Sequence, residues 1–229
     1  MSVTKALVLV VVMASPAFAQ EWVRYASKAD LFAVNFPSEP NAQDITYMSE
    51  FGIALPAHVY SAEQGRSRYA MTVVDYADAE KIHTARMQQC RAAGGEGDAC
   101  QNDWRSDVQG AMVFAASKFI KRDGAKVNFF GWAVVDQIEG LRIQLTNTDA
   151  SRTFAEIHRH GTRLYVSEAT VPKGAPAPGL FQQSLMFIDE EGKPIRYRSF
   201  YTTGYSDGWK FPSPPPARTG PPPPPAPPK

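Results

Sequence analysis

From Trp22 onward the chain alternates apolar and polar positions with a period of two. In residues 31–37 the apolar Phe32, Val34 and Phe36 fall on one side, and Pro37 and Pro40 close the run, which predicts a strand. Further strands are predicted around 57–62, and more strongly over 67–76 in SRYAMTVVDY. The period then changes. Residues 77–93 are rich in Ala, Glu, Gln, Arg and Met, begin near a capping candidate at Asp78, and run out at Gly94 and Gly95, as a helix does. A second helix is predicted from Val108, Met112, Ala115 and Phe119, which recur on one stripe. Asp103 or Ser106 can cap its start, and Lys121 and Arg122 meet the negative end of its dipole before Gly124.

After Gly124 the strand period returns. The spacing predicts strands over 125–137 and 141–147, separated by a turn at Glu139 and Gly140, then over 151–160 and 162–171. In the second of these Leu141, Ile143 and Leu145 face one way and Arg142, Gln144 and Thr146 the other. Four strands at short spacing predict a meander. Its apolar face needs cover, which the two middle helices would supply together with a third over 178–189, where Phe181, Leu185 and Ile188 line a stripe. Strands and helices segregated in this order predict an α+β fold built on an antiparallel sheet.

The two ends follow other rules. MSVTKALVLVVVMASPAFAQ has one Lys5, a short apolar run, a breaker at Pro16 and Ala17-Phe18-Ala19, the three-part pattern of a secretory signal peptide cleaved after Ala19. The run is shorter than the ~20 residues that span a bilayer, so no membrane anchor is expected. From Phe211 the chain reads FPSPPPARTGPPPPPAPPK; proline lacks an amide donor and fixes φ, so a solvated polyproline tail is expected there. The expected organisation is therefore a signal peptide at 1–19, a single domain at 20–210 and a disordered tail at 211–229.

The stretches WVRYAS, FAVNFPSEP, YAMTVVDY, RTFAEIHRHGTRLYVSEATVP and FQQSLMFID, in this order, resemble a group of uncharacterised exported proteins of Gram-negative bacteria, mainly alphaproteobacteria. More distantly the pattern is similar to the α/β/α sandwich of PsbP, the extrinsic photosystem protein. The likeness runs from about Trp22 to Ile188 and is carried by core and turn residues. It implies that fold, and an accessory or binding role of the kind the fold group is known for.

Charge and motifs narrow the function classes. Without Lys5 the chain has 23 basic and 23 acidic residues, which gives no electrostatic footprint for nucleic acid or anionic lipid. G-x-S-x-G, G-x-x-x-x-G-K and H-E-x-x-H do not occur. His158 and His160, at i and i+2 on a predicted strand, share a face with Glu156, as ligands of one metal ion would; a solvent-facing polar row beside a turn is the simpler account. His58 and His83 stand isolated. In 195–211 Tyr197, Phe200, Tyr201, Tyr205, Trp209 and Phe211 interleave with Arg196, Arg198 and Lys210. Such a surface could stack on a glycan or hold a peptide; otherwise the segment adds an edge strand that pins the tail. Glu96 and Asp98 lack the ligand series of a calcium loop.

The two cysteines, Cys90 and Cys100, are too far apart for a redox pair and lack companion ligands for a metal. In an exported chain they are expected to form a structural disulfide, worth about 2 to 3 kcal/mol by loop entropy. The expectation is a noncatalytic periplasmic or secreted binding or accessory protein, without cofactor, whose partner is a protein or an envelope component. The alternatives are an envelope enzyme without a recognisable motif, and a weak metal-binding protein using His158 and His160.

Overall fold

The computed structural model describes residues 22–201. The leader pattern with Ala19 and the proline-rich segment lie outside the described residues. The alternating N-terminal stretches form β1 (Val23–Ser27) and β2 (Phe32–Phe36), followed by β3 (Asn41–Met48), β4 (Ala54–Gln64) and β5 (Ser67–Asp75). The helical stretches form α1 (Ala79–Ala92) and α2 (Trp104–Ile120), with a short 3-10 turn, Gly97–Cys100, between them. β6 (Lys126–Val135), β7 (Ile138–Thr146), β8 (Arg152–His160) and β9 (Arg163–Val171) follow, then the one-turn α3 (Gly179–Gln182) and β10 (Met186–Phe187).

The fold is α+β on an antiparallel sheet. β3, β4 and β5 form one meander, and β6 to β9 form the other that the spacing predicts. The two join through β5 and β9 into seven strands ordered β3-β4-β5-β9-β8-β7-β6. One face is covered by the helices. Val108, Ala115 and Phe119 of α2 bury against Leu141, Ile143 and Leu145 of β7, and Met112 is half-buried at the same seam. Asp78 and Asp103 do occupy the two N-cap positions, but neither side chain bonds to its helix. No helix among the described residues is long and apolar enough to cross a membrane.

The opposite face is covered differently from expectation. The stripe Phe181, Leu185 and Ile188 is buried, but not as one helix. After the single turn of α3 the Ser184 hydroxyl donates to the Phe181 carbonyl and accepts the Asn35 amide, which turns the chain out of helical geometry. Met186 and Phe187 then pair with Ala33 and Phe32. The cover is therefore a small sheet ordered β1-β2-β10, with Phe32, Val34 and Phe36 pointing into a second core. The turn expected at Glu139 and Gly140 is also displaced. Asp136 and Gln137, at φ 49° and 67°, form the two-residue turn between β6 and β7. Gly140 lies inside β7 for another reason.

Candidate functional site

Glu156, His158 and His160 share a face of β8, as their spacing requires, but that face is the second core. The row is not solvent-facing, because β10 and the segment after it lie across it: His158 is 0% exposed and Glu156 1%. The Glu156 carboxylate accepts from the Arg142 Nε at 2.7 Å, across the β7–β8 pair. Its other oxygen stands 3.7 Å from the His158 Nε2, and neither ring nitrogen of His158 has a hydrogen-bond partner. The ring fits because its opposite residue is glycine. A Cβ on Gly140 would overlap the His158 ring and the Ile157 carbonyl.

His160 sits between Phe187, Tyr197 and Tyr201, and its Nε2 bonds the Tyr197 hydroxyl at 2.5 Å. Burial, with the Arg163 cation beside it, pushes its pKa down to about 4. Among the described residues no three or more His, Cys, Asp or Glu side chains are grouped to hold a metal ion. The row has the chemistry of a core rather than of an open site.

The aromatic segment is not an exposed ledge either. Tyr197 and Tyr201 stack 5.1 Å apart and are 3% and 4% exposed, drawn into the second core by their rings. The Tyr201 backbone bridges both sides of Ile138, taking the Gln137 carbonyl at 2.7 Å and offering its own to the Glu139 amide. The segment thus makes a single bridge where an edge strand was the alternative. Tyr205 and Trp209 lie outside the described residues.

Two clusters escape the sequence because their partners are far apart in it. His83 is not isolated: its Nε2 lies 2.9 Å from Asp107 Oδ2, which also accepts from the Ser49 hydroxyl at 2.5 Å, all three buried between the helices and the sheet. Asp107 stands in the middle, so the hydroxyl is bonded to the carboxylate and not to the imidazole that a nucleophile would need. Burial and the nearby Asp107 raise the pKa of Tyr47 in this cluster to about 12. His58 is not isolated either. Its Nδ1 donates to Asp30 at 2.8 Å, while Nε2 faces Asp44 at 3.5 Å. Asp30 also accepts from the Tyr60 hydroxyl at 2.6 Å, which joins β4 to the turn after β1.

Cys90 and Cys100 lie at disulfide distance, Cα to Cα 5.5 Å, tying the last turns of α1 to the residues before α2. Gly95 makes room for them, since a Cβ there would come within 2.5 and 2.7 Å of the two sulfur atoms.

The apolar surface is on β6. This strand is one edge of the seven-stranded sheet, and Trp132 is 73% exposed, Phe130 51% and Val134 47%. Trp132 and Phe130 stand opposite Leu141 and Ile143, on the helix-covered face of the sheet, but α2 packs over β7, β8 and β9. The signal was present in NFFGWAVV, a strand apolar on both faces, which reads as buried until its edge position is known. The other edge, β3, exposes Asn41, Gln43 and Asp44 instead.

No protein-family model matches the chain, and no curated protein does. Among solved structures it is similar to the cyanobacterial PsbP, CyanoP, of Synechocystis at 9% identity and a TM-score of 0.42, over 76% of this chain and 96% of that one.

Proposed function

We propose that this is a noncatalytic binding or accessory protein, exported to the periplasm or beyond, which associates with another polypeptide across the open edge of β6. The observation that carries the reading is the exposure of Phe130, Trp132 and Val134 on that strand. Edge strands left long and apolar invite pairing, and natural sheets guard them with charge, proline or a covering element. β3 is guarded in this way by its polar residues; on β6 the one charge, Lys126, and the bulge near Asn128 both lie at its start, which leaves 130–134 unguarded.

The leader-like N-terminus and the cysteine pair support export, since disulfides persist in oxidising compartments. In this reading residues 20–210 form the folded unit, and the proline-rich segment is a solvated spacer. The buried placement of Asp107, Glu156 and His158 supports a structural part for the polar residues. The test is cosedimentation of the full chain with envelope fractions from its own cell type. Retention is expected for wild type and a loss of about tenfold for Phe130→Ser with Trp132→Ser, in keeping with the ~1.4 kcal/mol that a tenfold change represents. Equal retention of the two proteins, or none for either, counts against the reading.

A further inference from the structure

The backbone of β6 narrows what can occupy its edge. The Asp136–Gln137 turn makes Val135 and Ile138 the closing bonded pair of the hairpin. Glu139 sends its amide to the Tyr201 carbonyl, away from β6, so Val134 and Glu139 form a pair without mutual bonds. Alternation along an antiparallel ladder then leaves the N–H and C=O groups of Phe130, Trp132 and Val134 directed outward. These are the same three residues whose side chains are exposed on the helix-covered face. The outward backbone groups and the three most exposed apolar side chains of β6 therefore fall on one row, while Val127 and Phe129, 38% and 45% exposed, flank the bulge.

We propose that β6 pairs antiparallel with β6 of a second copy, so that two seven-stranded sheets continue as one across a twofold axis. This rests on the reading of β6 as the binding surface and names a second copy as the polypeptide that pairs there; the paired chains then meet the envelope at two points, so retention weakens when pairing is lost. Backbone bonds form only in registers that set outward residues against outward residues. The register that uses all three places the axis at Trp132, with Phe130 opposite Val134 of the second copy and the reverse. Each bonded pair exchanges two bonds, so about six would form over a stretch that the bulge does not reach. An aromatic residue opposite a β-branched one is a favourable cross-strand pair. With the bulge at Asn128 taken into account, Lys126 comes opposite Gln137 of the second copy, beside its Asp136. Burial raises the pKa of Asp136 even with Arg196 near it, so that carboxylate gains from a further cation. The chain's own tail fits less well, because proline has no amide to give the outward carbonyls.

The test is the solution mass of the full chain by light scattering and sedimentation over a wide concentration range, with Trp132→Lys and Trp132→Cys variants. A mass of two chains is expected for wild type and of one chain for Trp132→Lys, with unchanged circular dichroism. Bonded antiparallel partners have Cα atoms about 5.5 Å apart, within disulfide range, so Trp132→Cys should form a covalent dimer under oxidation; a cysteine at Phe130 should not pair with its own copy. A single-chain mass at every concentration overturns the proposal. If envelope retention still depends on Phe130 and Trp132, the binding reading survives without the dimer; if retention is absent too, both fail. A dimer insensitive to Trp132→Lys overturns it by placing the contact elsewhere. A monomer that dimerises only when prolines 221–225 are changed to serine identifies the tail as occupant, and overturns it equally.

Discussion

Gly140 shows how one residue decides what its neighbours can be. Its backbone is ordinary strand, so the glycine is not there for a turn; it is there because His158 and the Ile157 carbonyl occupy the space where a Cβ would stand. The imidazole thereby leans over Gly140 and meets the Phe187 ring edge to face, 6.1 Å away between ring centres and at 71° between planes. Gly140→Ala is therefore expected to act as overpacking against a carbonyl that cannot swing aside. A loss of about 2 to 3 kcal/mol in denaturant unfolding is the expected outcome. Gly161, where a Cβ meets nothing within 4 Å but φ is 58°, is the comparison: Gly161→Ala should lose less, about 1 kcal/mol, from backbone strain alone. Equal losses at the two sites would remove the steric account of Gly140. This pair also marks a limit of reading chemistry from sequence. The i, i+2 spacing of His158 and His160 establishes a shared face, whereas burial of that face depends on β10, about thirty residues later.

At the scale of elements, the connection between α1 and α2 is held by covalent chemistry more than by packing. Residues 91–99 are mostly exposed, and Gly94 and Gly97 take positive φ. A connection with so little to bury depends on the Cys90–Cys100 link to keep the end of α1 in place beside α2. Replacing both cysteines with serine is expected to cost about 2 to 3 kcal/mol, and hydrogen exchange should quicken first in the last turns of α1, while the amides of β8 and β9 keep their order of protection. No change in unfolding would mean that the loop is held by contacts alone. The strands with strong alternation and both long helices were legible because local period and burial agree in them. The Val108 to Phe119 stripe and the Leu141, Ile143, Leu145 face are where they should be. β3 was not legible, because an edge strand exposed on most of its residues has no apolar period to show. The third helix failed for the opposite reason: Phe181, Leu185 and Ile188 satisfy a helical stripe, yet Ser184 and the open edge of β2 supply better backbone partners. The candidate site was least legible, since sequence and burial run opposite ways there: β6, apolar along most of its length, is exposed, while β8, which carries Glu156, His158 and His160, is buried.

Across the whole molecule, the seven-stranded sheet is covered on one face by the middle of the described chain and on the other by its two ends. β1 and β2 come from the start of it, and α3, β10 and the segment to Tyr201 from its finish. His160 lies at that seam, and its ring touches Phe187, Tyr197 and Tyr201, so its charge state reports on whether the end of the chain is docked. Folding moves its pKa from 6.5 down to about 4, through burial first and then Arg163. Between those values the unfolded chain binds more protons than the folded one, so stability falls as the pH falls through the window. Above about 6.5 the contribution is complete, and near pH 4 a shift of this size has removed on the order of 3 kcal/mol. Carboxylates titrate over the lower part of the same range, so the measurement is a difference: unfolding free energies of wild type and His160→Phe from pH 7 to pH 4.5. Phenylalanine keeps the ring contacts, costs some stability at pH 7 by leaving the Tyr197 hydroxyl without its partner, and cannot take up a proton. The two curves should therefore converge as the pH falls, and the fluorescence of Tyr197 and Tyr201 should change earlier in wild type. Parallel curves would show that protonation of His160 is not what loosens this seam.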